Sequence, residues 1–184
     1  MIRKATEKDL NEVEAIYNEV LDFEAANGSY TNWKKGLYPT RADGAKALAD
    51  GTLYVGEDET GYLYGCVILN HIQPKEYDAI PWKVEAQGSE VLVIHTLCIR
   101  PDCNGRGHGK EFVLFVEAYA RGLKCKTVRL DTYEGNKPAI QLYSRMGYEL
   151  RGTSLFHFQN VIWETLVCMD KEITESGSTM RKIT

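Results

Sequence analysis

Apolar residues at Leu10, Val13, Ile16, Tyr17, Val20 and Leu21 recur every three or four positions, which predicts a helix with one buried face. Thr6 with Asp9 three residues on has the form of a capping box at its start, and Asn27-Gly28 closes it. Ile2 to Ala5 precedes it as a short strand. An aromatic-rich connection with Tyr30, Trp33 and Tyr38 follows, and Thr40 opens a shorter helix carrying Ala45, Leu48 and Ala49. From residue 52 the pattern changes. Residues 52–57 and 62–70 read as strands joined by Asp58-Glu59-Thr60-Gly61, a hairpin-type connection. Residues 71–89, with Pro74, Pro81 and Gly88, form an irregular insertion, and a loop of that length in a compact domain is often functional.

Val91 to Ile99 is a nearly continuous apolar run, as a strand buried on both faces would be. Residues 110–124 return to helical spacing, with Phe112, Val113, Phe115, Val116, Tyr119, Ala120 and Leu123 on one stripe. Residues 127–132 read as a strand. Pro138 sits in the first turn of the next helix and Gly147 just past its end. Residues 148–158 and 161–171 complete the pattern as two strands. The order is strand, two helices, three strands, helix, strand, helix, two strands, an α/β (α+β) arrangement on one mixed sheet. We read one domain over residues 1–173 and a polar tail, 174–184, expected to fray.

Composition narrows the picture. With 184 residues, 43% of them hydrophobic and 26% charged, the chain has the profile of an ordinary globular domain. A net charge of −4 argues against a nucleic-acid partner, which needs a dense basic face. The five cysteines lack the close pairing with histidines that a zinc site needs, so no metal is expected. Reduced thiols, together with the absence of a signal-peptide pattern or a bilayer-length apolar run, point to a cytoplasmic protein with no membrane partner.

The most informative segment is Asn104-Gly105-Arg106-Gly107-His108-Gly109-Lys110, which leaves the buried strand and enters an amphipathic helix. Alternating glycines allow left-handed backbone and close approach by a ligand. The helix start adds unpaired N–H groups and a positive dipole end, an arrangement suited to phosphate. Arg106 and Lys110 add charge at its edge. A Walker loop requires glycine at Asn104 and Ser or Thr at Glu111; a dinucleotide fingerprint requires glycine at Lys110 or Phe112. Both patterns fail, and a ligand-free structural turn stays open on the glycines alone.

Two stretches carry a resemblance to a known family. One is His95-Thr96-Leu97-Cys98-Ile99-Arg100-Pro101 followed by the glycine loop. The other runs from Leu130-Asp131-Thr132 through Asn136-Lys137-Pro138-Ala139-Ile140-Gln141-Leu142-Tyr143 to Met146-Gly147-Tyr148. Together they resemble the strand-end, loop and Asn-x-x-Ala-x-x-Leu-Tyr signatures of the GNAT superfamily of N-acetyltransferases. Asn104 departs from the usual Gln or Arg. The resemblance implies a twisted, mostly antiparallel sheet of about seven strands flanked by about four helices. It implies acetyl-coenzyme A as cosubstrate and transfer of its acetyl group to an amine of a small molecule or peptide. Residues 104–110 would hold its diphosphate, the backbone of Leu97, Cys98 and Ile99 its acyl arm, and Asn136 its amides, with Tyr143 as general acid.

For the general base the family's usual strand carboxylate is missing at Val93. His95 is the candidate by residue type, expected on the same strand face as Val93, Leu97 and Ile99, with a hydrogen-bonded structural histidine as its alternative. Glu90 and a water relay stay open. His108 reads as a turn residue, and Cys98 as a buried, inert thiol. Tyr30, Trp33, Tyr38 and Trp82, with Phe156 or Phe158, are candidates for the acceptor pocket, flanked by Glu24 and Glu85, or else core packing. A symmetric homodimer is the oligomer that the resemblance points to. The alternative function is a non-catalytic coenzyme A sensor of the same fold; a nucleotide-phosphate binder is disfavoured by the failed patterns.

Overall fold

A computed structural model of the chain describes residues 1–158 and 162–174. The tail expected to fray lies, from residue 175 on, outside the described residues, as does Val161; the side chain of Phe158 is likewise outside them. Seven strands form one sheet in the order β1-β2-β3-β4-β5-β7-β6. They are β1 (Ile2–Lys4), β2 (Leu53–Glu57), β3 (Leu63–Asn70), β4 (Val91–Ile99), β5 (Thr127–Tyr133), β6 (Glu149–Phe158) and β7 (Ile162–Glu172). Four helices accompany them: α1 (Leu10–Asn27), α2 (Arg41–Ala49), α3 (His108–Gly122) and α4 (Lys137–Arg145). This is the mixed, mostly antiparallel arrangement that the resemblance implies.

Local chemistry accounts for the element ends. Asp9 accepts from the Thr6 backbone N–H at 2.7 Å and Asp43 from that of Thr40 at 2.8 Å, so each acidic residue reaches back to the start of its helix. Gly28, at φ 102°, ends α1. α3 begins at His108, two residues before its apolar stripe suggests, because the left-handed Gly107 caps it.

α3 and α4 cover one face, packing Phe112, Val113, Val116 and Tyr143 against Leu92, Ile94, Val128 and Leu130. α1 and α2 cover the first half of the other face over Leu53, Val55, Cys66 and Cys98. The insertion closes the second half of that face, with Tyr77 and Ile80 over Val91, Val93, Phe156, Leu166 and Cys168.

The sheet is interrupted in its middle. Among the described residues β4 and β5 form the one parallel pair, joined through α3, and their ladder runs from Val91↔Thr127 to Ile94↔Leu130. Both strands continue, to Ile99 and Tyr133, while β5 stays paired with β7 and β4 with β3. Beyond Ile94 the two half-sheets part, and the β5-facing edge of β4 has no strand partner among the described residues.

A bulge in β4 stands at the same place. Cys98 pairs with Cys66 and His95 with Ile68, three residues against two. The extra residue lies at Thr96, whose φ is 48°, a rare conformation for a β-branched side chain. This corrects the alternation read from the sequence. His95 stays on the face of Val93, but Leu97 and Ile99 turn to the α3 side with Leu92 and Ile94, since one inserted residue reverses every side chain after it.

Candidate active site

At the C-terminal end of β4, a short 3₁₀ turn (Pro101–Cys103) leads into the glycine loop. Gly105 and Gly107 have φ of 76° and 90°. A Cβ at either would meet nothing within 4 Å, so backbone conformation, not crowding, calls for glycine there. Gly109 has a different reason: a Cβ there would come within 3.0 Å of the Leu142 side chain on α4. Asn104 donates its N–H to Pro101 O and Glu111 donates to Gly107 O. Among the described residues, none of the six intervening N–H groups, Gly105 to Lys110, has an acceptor. These donors sit at the positive end of a 15-residue helix, with the exposed Arg106 and Lys110 beside them. The arrangement suits a diphosphate. The His108 ring is stacked on Tyr64, centroids 3.9 Å apart, with Nδ1 3.3 Å from Glu111 Oε2. Its side chain braces the turn.

The cradle adjoins the mouth of the parted strands. Leu97, Cys98 and Ile99 line that mouth with backbone, as the resemblance implies. The Cys98 thiol points to Cys66 and α1, and contact with Cys66 together with burial holds its pKa well above the usual thiol value. It is no thiolate nucleophile. Asn136 caps α4: Oδ1 accepts from Ala139 N at 3.3 Å and Nδ2 donates to Thr132 Oγ1 at 3.1 Å. That leaves one Nδ2 hydrogen for a ligand.

Two ionisable groups approach the opening from opposite faces of the sheet. Tyr143 comes from the α3/α4 side. It is 5% exposed, and burial, with the Asp131 charge second, raises its pKa well above the ordinary phenol value. Its hydroxyl donates no hydrogen bond among the described residues. Asp131 comes from the other side, on β5 one residue past the last β4–β5 pair. It is half-buried. Burial pushes its pKa up to about 6; the bond from Tyr77 Oη, 2.8 Å long, works in the opposite direction.

The sequence did not single out Asp131 as a chemical group. Its local signal was a carboxylate sharing a strand face with Thr127 and Arg129, opposite the apolar Val128 and Leu130, and nothing local shows that the neighbouring strand departs there.

His95 faces the same side. Its Nε2 is 3.0 Å from Asn70 Oδ1. Burial pulls its pKa down to about 4, against a backbone bond at Ile72 that acts the other way. The ring is a neutral, anchored group at pH 7. Glu90 is at the far end of β4, seven residues before Leu97, or about 23 Å of strand away. There it pairs with Lys126 at 2.5 Å, which removes it from the list of bases.

The aromatic candidates divide. Trp33 packs edge-on against Tyr38, centroids 5.7 Å apart, and the Tyr38 hydroxyl bonds the Thr96 side chain at the bulge. Asn32 Nδ2 donates to the buried Glu164 on β7 at 3.0 Å, stitching this connection across the sheet. Glu24 is buried and accepts from Thr31 Oγ1 at 2.8 Å and from Ser29 Oγ at 3.1 Å. Tyr30 is 41% exposed. Trp82 belongs to the insertion: Nε1 donates to Tyr77 O at 2.9 Å and the Arg129 guanidinium lies 4.5 Å above its ring. Glu85 is exposed.

The sequence profile of the acetyltransferase (GNAT) family matches residues 13–148. Streptothricin acetyltransferase of Escherichia coli is 24% identical over 147 residues, 78% of this chain and 75% of that protein. Among solved structures, a GNAT-family acetyltransferase from Streptococcus agalactiae 2603 superposes with a TM-score of 0.79 at 23% identity, covering 95% of each chain. A GNAT-superfamily phosphinothricin acetyltransferase from Sinorhizobium meliloti, solved in complex with AcCoA, gives 0.69 at 17% identity, covering 97% of this chain and 91% of that one.

Proposed function

Because the chain belongs to the acetyltransferase (GNAT) family, we propose that it transfers the acetyl group of acetyl-coenzyme A directly to a primary amine of a small molecule or peptide, with both substrates bound together. The observation that carries this reading is the gap between β4 and β5, flanked by Asp131 on one face and by Tyr143, within the field of that carboxylate, on the other, and adjoining six N–H groups without acceptors.

The residues present fit the cosubstrate. The amides of Gly105 to Lys110, with Arg106 and Lys110, would hold its diphosphate. The unpaired edge at Leu97, Cys98 and Ile99 and the remaining Asn136 hydrogen would hold the amide-bearing arm. A structurally similar chain solved with AcCoA supports this assignment. Once bound, acetyl-coenzyme A supplies an activated acyl carbon and a thiolate leaving group.

The chain's own groups supply the rest. An alkylamine titrates near ~10 and is protonated at neutral pH. Asp131, ionised at pH 7 with a value of about 6, accepts its proton as general base. His95, held near 4 and anchored by Asn70, serves as a neutral wall of the acceptor side. N–H groups at the Thr96 bulge polarise the acyl oxygen; such preorganised donors are usually the largest electrostatic contribution to acyl transfer. Tyr143 keeps its proton on Oη through the neutral range and donates it toward the departing sulfur. Trp33 and Tyr38 face the acceptor.

The test is thiol release from acetyl-coenzyme A over a panel of amines and short peptides. Tyr143→Phe is expected to lower kcat about 100-fold, the low end for a general acid, with acetyl-coenzyme A affinity unchanged. Tight binding without turnover for every amine would overturn transfer and favour the sensor.

A further inference from the structure

The contacts of the insertion between β3 and β4 make it a fixed wall. Arg129 Nη1 donates to Gln73 Oε1 at 2.5 Å and its Nη2 to Val84 O at 2.8 Å. The Lys83 N–H donates to the buried Asp170 at 3.1 Å. Ile80 and Ala86 are buried in the cluster over β4 and β7. Inside this frame a short 3₁₀ turn (Lys75–Ala79) carries Tyr77. The ring is 2% exposed, packed on Trp82 at 4.8 Å and edge-on to Phe156 at 6.4 Å. Nothing in that packing requires a hydroxyl, and the hydroxyl is spent on Asp131 Oδ2 at 2.8 Å. Among the described residues no other hydrogen bond reaches that carboxylate.

We propose that Tyr77 is a positioning residue for acetyl transfer: the insertion delivers its hydroxyl to Asp131 Oδ2, fixing the carboxylate so that Oδ1 faces the parted strands and receives the proton of the amine. The proposal rests on Asp131 as the base. A phenol that donates to a carboxylate favours the ionised form, so Tyr77 also opposes the burial that drives Asp131 toward neutrality. The other groups facing Asp131 act on it as well. Glu76 of the same turn and Glu164 of β7 oppose its ionisation. Tyr143 of α4, Cys168 of β7 and Tyr38 of the α1–α2 connection lie within its field, Arg129 precedes it by two residues on β5, and His95 lies on the same face of β4. Tyr77 is the one that touches it.

The experiment is a carbon-13 titration of the Asp131 side-chain carboxyl in the full chain, followed by NMR without substrate. Three proteins are compared: wild type, Tyr77→Phe, and wild type carrying 3-fluorotyrosine at position 77, whose phenol is the stronger donor. The Asp131 midpoint is expected to rise by about one pH unit in Tyr77→Phe, the scale of a hydrogen bond to a charged group, and to fall with 3-fluorotyrosine. The acid limb of kcat/KM against pH moves with it for the panel amine with the fastest turnover, while the KM for acetyl-coenzyme A stays put. A midpoint unmoved in both variants overturns the proposal. Asp131→Asn tests the base separately: an acid limb that survives that change sinks the base assignment whatever the titration shows. A moved midpoint with an unmoved acid limb sinks the catalytic role of Tyr77 alone.

Discussion

Two side chains that look alike on paper as bases are separated by their surroundings. Burial lowers the proton affinity of His95 to about 4, because imidazolium is the charged form, and raises that of Asp131 to about 6, because carboxylate is. The same physics therefore leaves one neutral and, on the base assignment proposed above, prepares the other. For Asp131 it also has a consequence for folding. Its native value lies above the ordinary 3.8, so its neutral form is compatible with burial and stability is lost as pH rises through about 6. The loss approaches about 3 kcal/mol at full ionisation, taking ~1.4 kcal/mol per unit. Asp131→Asn should then raise Tm at pH 8 well above wild type, leave it nearly unchanged at pH 4, and abolish turnover at both. Thermal melts at the two pH values check the sign. His95 was legible as a candidate from its residue type, but its anchoring by Asn70 was not, because Asn70 is 25 residues away in the chain.

At the scale of elements, the glycine loop and the β4 bulge show different degrees of legibility. The loop was readable because positive φ leaves a residue-type signature: Gly105 and Gly107 stand where other residues are strained. Gly107→Ala should destabilise the fold by about 1 kcal/mol, the cost of a Cβ in left-handed backbone. It should also weaken coenzyme A binding about tenfold as the amides shift, one charge-assisted hydrogen bond's worth. Gly122→Ala at the far end of the same helix, with ordinary φ and open space, is the control expected to leave coenzyme A binding unchanged and to stabilise the fold by about 0.5 kcal/mol; calorimetry and melts read both. The bulge left no such signature. Thr96 is a β-branched residue in a left-handed conformation, held by pairing with β3 and by the Tyr38 hydroxyl. Strand periodicity alone therefore placed Leu97 and Ile99 on the wrong face.

The whole molecule is two half-sheets joined along four residue pairs, Val91↔Thr127 to Ile94↔Leu130. α3 and α4 pack across one face of that junction and the insertion across the other. A ligand seated from the glycine loop to the gap would bridge the halves and stabilise the native state in proportion to its occupancy. Coenzyme A at 100 times its Kd should add about 2.7 kcal/mol, read as a rise in Tm, while ATP and NAD at the same concentration give a small shift or none. An equal response to all three would indicate a general phosphate site.

The order of elements, the helix caps, the glycine cradle and the Asn136–Tyr143 segment follow from the sequence by itself. Each is local: periodicity, capping and positive-φ glycines act over a few residues and leave their mark in residue type. The parting of β4 from β5, the reversed face after Thr96, the opposite pKa shifts of Asp131 and His95 and the hydrogen bond from Tyr77 to that carboxylate were decided by the tertiary structure. These depend on which strand lies beside which and on how far each charge is removed from water. Groups 54 and 132 residues apart in the chain set those conditions together, and no stretch of sequence carries them alone.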